Sequence, residues 1–230
     1  MDLPPLKLDL EIPLFPLPNC VLFPGVVQPL HIFEPRFRKM MVQTMAGQAA
    51  LVMALLQPGW EKTYHGCPQI YPRVCLGRVI AHELLDDGKY NLLLQGVARA
   101  DVTSEIRHAG EWGVYRSVML RKVPDIDPSD AHDALQRRVL ADLFEKSALR
   151  ELTVTPALAT LFEENVPLSR LIDGLAFSLV QDCQAKQRLL EEPDVAKRGE
   201  LLLRELIALA ARLRPSQRAA VAWPPNPGLN

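Results

Sequence analysis

Up to Val123, apolar residues mostly alternate with polar ones or run in short unbroken stretches; beyond Pro124 they recur at helical spacing. In the first part, Ala49–Gln57, Val74–Leu85, Tyr90–Val102 and Trp112–Val123 are rich in Val, Leu, Ile and aromatic residues and read as strands. Leu85-Asp86-Asp87-Gly88-Lys89 lies between two of them and predicts a hairpin, because Asp and Gly tolerate the turn's backbone angles. Gly96, inside the returning strand, marks a bulge or a close backbone approach. Proline punctuates the N-terminus, where Glu11–Pro18 reads as an irregular edge strand with its prolines on edges or bulges. Val26–Phe33 follows as an extended run. Glu34-Pro35 then opens a helix over Pro35–Ala46 that points Phe37, Met40, Met41 and Met45 inward.

Val123-Pro124-Asp125-Ile126-Asp127-Pro128 is the expected boundary. After it, Ser129 or Asp130 caps a helix whose Leu135, Val139, Leu140, Leu143 and Phe144 form one stripe. Thr155-Pro156 starts another, carrying Leu158, Leu161 and Phe162, and Pro167 a third with Leu171, Ile172, Leu175 and Leu179. The last runs over Val195–Leu213 and presents Leu202, Leu203, Leu206, Ile207 and Leu209 before Pro215 stops it. Strands without alternating helices, then helices, predict an α+β fold: an antiparallel sheet or small barrel followed by an α-helical bundle. The division is a β-rich part over residues 1–123, a helical part over 124–214 and a flexible tail over 215–230.

Composition narrows the function classes. Lys+Arg 26 against Asp+Glu 27 leaves a net charge of -1, which lacks the basic footprint of a dedicated nucleic-acid binder. Four cysteines, Cys20, Cys67, Cys75 and Cys183, form no CxxC pair and suggest reduced thiols in a cytoplasm. The acid and prolines of the first six residues are unlike a secretion signal. The apolar runs Ala49–Leu56 and Leu201–Leu213 are too short or too charged to span a membrane.

Phosphate-cradling loops of the GxxxxGK[ST] or GxGxxG type are absent, as is a GxSxG nucleophile elbow. Ser178 with Lys186 is a candidate dyad outweighed by a plain helical serine. His65, Cys67, Cys75 and His82 carry donor atoms but match no zinc spacing. Neither a metal nor a cofactor is expected. What remains is recognition: His31, Phe33, Arg36 and Phe37, with Tyr71, Arg73, Arg99 and Tyr115, offer aromatic and basic groups suited to peptide docking. The competing reading is that the aromatics are core and the arginines a solvated rim.

The run from Leu14-Phe15-Pro16-Leu17-Pro18-Asn19-Cys20-Val21-Leu22-Phe23-Pro24-Gly25 to His31-Ile32-Phe33-Glu34-Pro35-Arg36-Phe37 resembles the opening of the Lon protease N-terminal (substrate-binding) domain, particularly its stand-alone bacterial form. Leu76–Ile80, the hairpin with Gly96-Val97-Ala98-Arg99, Lys186–Glu191 and Asp194–Arg198 are similar to later elements of that family. The resemblance implies a PUA-like pseudo-barrel followed by a helical bundle. It also implies a non-enzymatic polypeptide-binding module without the family's ATPase and protease domains, acting on unfolded or exposed segments, with a protease or chaperone as a possible partner. No catalytic residue carries over; His31, Phe33, Glu34, Arg36, Gly96 and Arg99 match as motif residues only. The alternative function is RNA binding, from the likeness of the barrel class to PUA domains and from Arg73, Arg78, Arg99, Arg116 and Arg121. A monomer and a dimer are both compatible with the sequence.

Overall fold

The computed structural model describes residues 6–108, 115–152, 160–163 and 165–213. Six strands, β1 (Ile12–Leu17), β2 (Val27–Ile32), β3 (Ala50–Leu55), β4 (Arg73–Leu84), β5 (Tyr90–His108) and β6 (Tyr115–Lys122), precede most of the helices. The pairings β1–β3, β3–β4, β4–β5, β5–β6 and β6–β1 close a ring of five strands. Ile12, Leu14, Val52, Val74, Leu76, Ala100, Val118 and Leu120 fill its interior, so each ring strand contributes. Every pair is antiparallel except β1–β3, which runs parallel. β3 is buried on both faces, one toward this interior and one toward the helices, which is why Ala50–Leu55 is an unbroken apolar run.

β1 corrects an expectation. It is not an edge strand: it lies between β3 and β6, and all but its last residue are buried. Staggered registers accommodate its prolines. Pro13 lies before the β3 register begins at Leu14, and Pro16 lies beyond the β6 register, which ends at Leu14. Each proline therefore needs a partner on one side only.

The helix α1 (Pro35–Ala46) packs Phe37, Met40, Met41 and Thr44 against the outside of the ring. Beyond the boundary come α2 (Asp130–Lys146), short 3-10 turns at Ala148–Leu152 and Thr160–Phe162, then α3 (Leu168–Leu179), α4 (Cys183–Glu191) and α5 (Val195–Leu213). The secondary structure changes at the boundary, but the core does not stop there: Phe15, Phe23 and Leu51 of the first part share one apolar cluster with Leu171, Leu189 and Leu206. Two expected stripes are narrower than the spacing suggested. On α2, Leu140 and Phe144 are buried but Leu135 and Val139 are exposed, and on α5 Ile207 is exposed. Helical spacing fixes which residues share a face; only the neighbouring elements decide how wide a face is covered. Residues 112–114, 155–159 and 215–230, placed above in a strand, a helix and a tail, lie outside the described residues.

Candidate functional site

Part of the sheet projects beyond the ring. β2 pairs only with β5, through Val27↔Gln95 to Ile32↔Tyr90, and the last half of β4 pairs with the same stretch of β5. β3 reaches β4 only as far as Ala50↔Arg78, so Ile80–Leu84 has no strand on its other side. The result is a three-stranded ribbon with an open edge on β2 and another on β4. Gly25 and Gly96 fix its base. Gly25, at φ +84°, donates to the Gly96 carbonyl at 2.8 Å, and a Cβ on Gly96 would stand 2.0 Å from the Phe23 carbonyl oxygen. The strand register also slips here, leaving Val97 between the pairs Leu76↔Ala98 and Gly77↔Gly96, so Gly96 makes the close approach and flanks the bulge.

The ribbon's outer face carries Pro29, Ala81 and Leu93 around a shallow hollow of about 480 Å³. A polar row crosses it: His31 Nδ1 donates to Asn91 Oδ1 at 2.8 Å, and Asn91 Nδ2 donates to Glu83 Oε2 at 3.3 Å. Phe33 is 58% exposed and stacks on His31 at 6.1 Å. On the other side, the hairpin tip faces α1 across a groove of about 590 Å³ lined by Pro35, Arg38, Lys39, Val42, Leu84 and Tyr90. Val42 and Leu84 are 61% and 60% exposed.

Of the residues singled out in the sequence, His31 and Phe33 are on this surface. The others hold the fold. Phe37 is buried edge-on to Phe15 at 4.8 Å. Arg36 is buried over the rings of Phe37 and Tyr64, ion-paired to Glu34 at 3.0 Å and donating to the Tyr64 carbonyl at 2.7 Å. Tyr115 is buried, stacks on His108 and donates to Gln43 Oε1 at 2.6 Å. Tyr71 donates to Gln184 of α4, and Arg73 donates to Asp101 Oδ1 and to the Glu191 carbonyl, both at 2.7 Å. These two join the ring to α4.

Arg99 is the centre of a buried charged seam. It is 2% exposed, donates through Nη1 to Asp173 Oδ2 at 2.9 Å, and pairs through Nη2 with the other Asp173 oxygen. Its Nε donates to the Leu190 carbonyl at 3.2 Å, and Asp125 of the boundary lies 3.3 Å from Nη1. From α5, Arg198 donates to Asp125 Oδ1 at 3.0 Å and sits 3.2 Å from Asp173 Oδ1. Burial works against the charge on Arg99, but the carboxylates of Asp173 and Asp125 outweigh it and hold the guanidinium above its ordinary range. β5, the boundary, α3 and α5 are thus tied by two arginines and two aspartates. Asp173 and Asp125 were not singled out in the sequence, where they read as one helical and one loop acid.

Among the described residues no three His, Cys, Asp or Glu side chains converge to hold a metal ion. Burial pushes the Cys75 thiol up to about 12, far from the thiolate a metal ligand requires. Ser178 is exposed, and Lys186 Nζ donates to the Phe177 carbonyl at 2.7 Å. No helix among the described residues is long and apolar enough to cross a membrane.

The family model described as the ATP-dependent protease La (LON) substrate-binding domain matches residues 11–208. The chain belongs to this family. Its sequence is 30% identical over 191 residues to Lon protease 2 of Herpetosiphon aurantiacus, covering 82% of this chain and 23% of that protein. Against the Lon protease of Clostridioides difficile it is 27% identical over 207 residues, covering 85% and 25%. The chain therefore spans about a quarter of the length of these relatives. Among solved structures, the N-terminal domain of Mycobacterium avium complex Lon protease superposes with a TM-score of 0.64 at 17% identity, covering 86% of this chain and 98% of that one. The Lon N-terminal domain protein from Xanthomonas campestris gives 0.58 at 22% identity, covering 85% and 98%. These two share the fold expected from the resemblance. Both seam arginines lie in runs on which the resemblance rests: Arg99 ends Gly96-Val97-Ala98-Arg99 and Arg198 ends Asp194–Arg198.

Proposed function

We propose that this chain is a polypeptide-binding module that holds exposed apolar segments of other proteins and breaks no covalent bonds itself. One observation carries the reading. Among the described residues, thirteen large apolar side chains are exposed, and seven of them, Val27, Phe33, Val42, Ile80, Leu84, Leu93 and Val97, sit on the ribbon or the parts of the chain beside it. Scattered apolar residues need no explanation, but a cluster beside two open strand edges offers both main-chain partners and side-chain contacts to an extended segment. Family membership agrees, since the matching model describes a substrate-binding domain. A protease or chaperone is the partner suited to receive what is held, and a cytoplasmic location suits free thiols.

RNA binding is the weaker reading. Of its supporting arginines, Arg99 pairs with Asp173 and Arg116 with Glu105, while Arg73 and Arg121 share Asp101, so most of their charge is already matched within the fold. Phosphate recognition needs unbalanced cations. The test is fluorescence anisotropy of a labelled, permanently unfolded polypeptide titrated with the protein. A saturable rise is expected. No rise, together with no suppression of aggregation, would overturn the reading, and salt-sensitive retention of RNA on a filter would replace it.

A further inference from the structure

The groove between α1 and the β4–β5 hairpin differs from the rest of the ribbon in its charge. Pro35, Arg38, Lys39 and Val42 are spaced as one stripe of α1, the stripe turned away from buried Phe37, Met40 and Met41. Across from them stand Leu84 and Tyr90. Among the described residues, neither the Arg38 nor the Lys39 side chain makes an ion pair or hydrogen bond, and the lining contains no carboxylate. Arg38 is half-buried and arches toward the hairpin, where a Cβ on Gly88 would lie 2.0 Å from its Nη2. Asp87 on that hairpin is within reach of the Arg38 charge, but it pairs with Lys89 at 2.6 Å. Two cations thus flank an apolar slot that adjoins the open edge of β4.

We propose that this groove takes an extended polypeptide segment in which a carboxylate side chain neighbours an apolar one, the apolar group seated between Val42 and Leu84 and the carboxylate on Arg38 and Lys39. The proposal rests on the polypeptide-binding reading and assigns that module its preferred sequence class. Opposite charge on the segment is what the lining lacks, and a volume of about 590 Å³ accommodates one large side chain with its flanking backbone. Extended backbone is the form that can continue the β4 ladder past Ile80–Leu84.

Three labelled peptides of one length and one apolar pattern test it, with Glu, Gln or Lys beside the apolar residues. The Glu peptide is expected to bind about tenfold more tightly than the Lys peptide, the size of two partly exposed charge contacts. Arg38→Glu with Lys39→Glu should invert that order. Lys39→Gln alone, at an exposed position, should halve the preference on a logarithmic scale and serves if the double variant fails to fold. Leu84→Ser should weaken all three peptides alike. Equal binding of the three peptides, or a preference that survives charge reversal, overturns this assignment and leaves the module reading standing. Failure of every peptide and of unfolded polypeptide overturns both. Concentration-dependent dimers in light scattering that Leu84→Ser abolishes would give the groove to a second copy and also overturn the assignment.

Discussion

Arginine stands on both sides of a comparison between the seam that joins the ring to the helices and the groove that opens beside the hairpin. In the seam, Arg99 and Arg198 are buried and face Asp173 and Asp125; in the groove, half-buried Arg38 and exposed Lys39 form no ion pair. The side-chain chemistry is shared, yet the consequences are opposite. A buried guanidinium held between carboxylates ties four chain segments together and has its charge answered inside the fold. An accessible one beside exposed apolar residues has its interaction capacity unused. The lesson is that a basic residue in a motif says little about recognition until its acid partner is known.

The largest effect expected from this contrast is on stability. Asp173→Ala removes the carboxylate that faces both Arg99 and Arg198 and leaves two buried guanidiniums sharing Asp125. Breaking a buried pair from one side costs about 3–5 kcal/mol. The urea midpoint should fall accordingly, while peptide binding by the remaining folded protein stays unchanged. A loss under about 1 kcal/mol would mean that water reaches the seam and would remove its contrast with the groove.

A second, smaller effect concerns the seam's margin. Burial works to raise the Asp101 carboxyl, but hydrogen bonds from Arg73 and Arg121 outweigh it and hold the group below its usual range. Because the folded value lies below the unfolded one, the stabilisation is complete above the unfolded value of about 3.9 and is lost as pH falls through the folded value. Denaturant midpoints of the protein and of Asp101→Asn should therefore differ at neutral pH and converge toward pH 2. A constant difference over that range would show that the carboxyl's contribution does not depend on its charge.

Much of the scaffold was legible because it rests on local signals. Pro35 starts α1, and Pro167 and the helical spacing around Leu171 locate α3; Asp86-Asp87-Gly88 makes the hairpin, and its Gly88 has φ +75°. β1 was misplaced at an edge because proline reports only one missing donor, whereas its interior position depends on where two partner strands begin and end. The candidate site was less legible. Phe33 and Phe37 lie four residues apart, yet Glu34-Pro35 turns strand into helix between them, leaving one exposed and the other buried. Grouping them by proximity in sequence mixed a surface residue with a core residue. Val42 and Leu84 carry no sign of exposure in their own sequence; it arises because the ribbon projects past the ring.

Leu84→Ser sharpens the comparison from the other side and has the smallest expected effect on folding. Leu84 is 60% exposed at the end of β4, so little apolar area returns to water when it is truncated. Surface substitutions of this kind stay within about 0.5 kcal/mol, and the urea midpoint should barely move. Binding should move, because the same side chain forms one wall of the groove. Asp173→Ala and Leu84→Ser then make a crossed pair: the first lowers stability and spares affinity, the second spares stability and lowers affinity. A Leu84→Ser protein that unfolds as readily as Asp173→Ala would instead make the hairpin part of the scaffold, and the exposed ribbon would lose its standing as a surface free to serve a ligand.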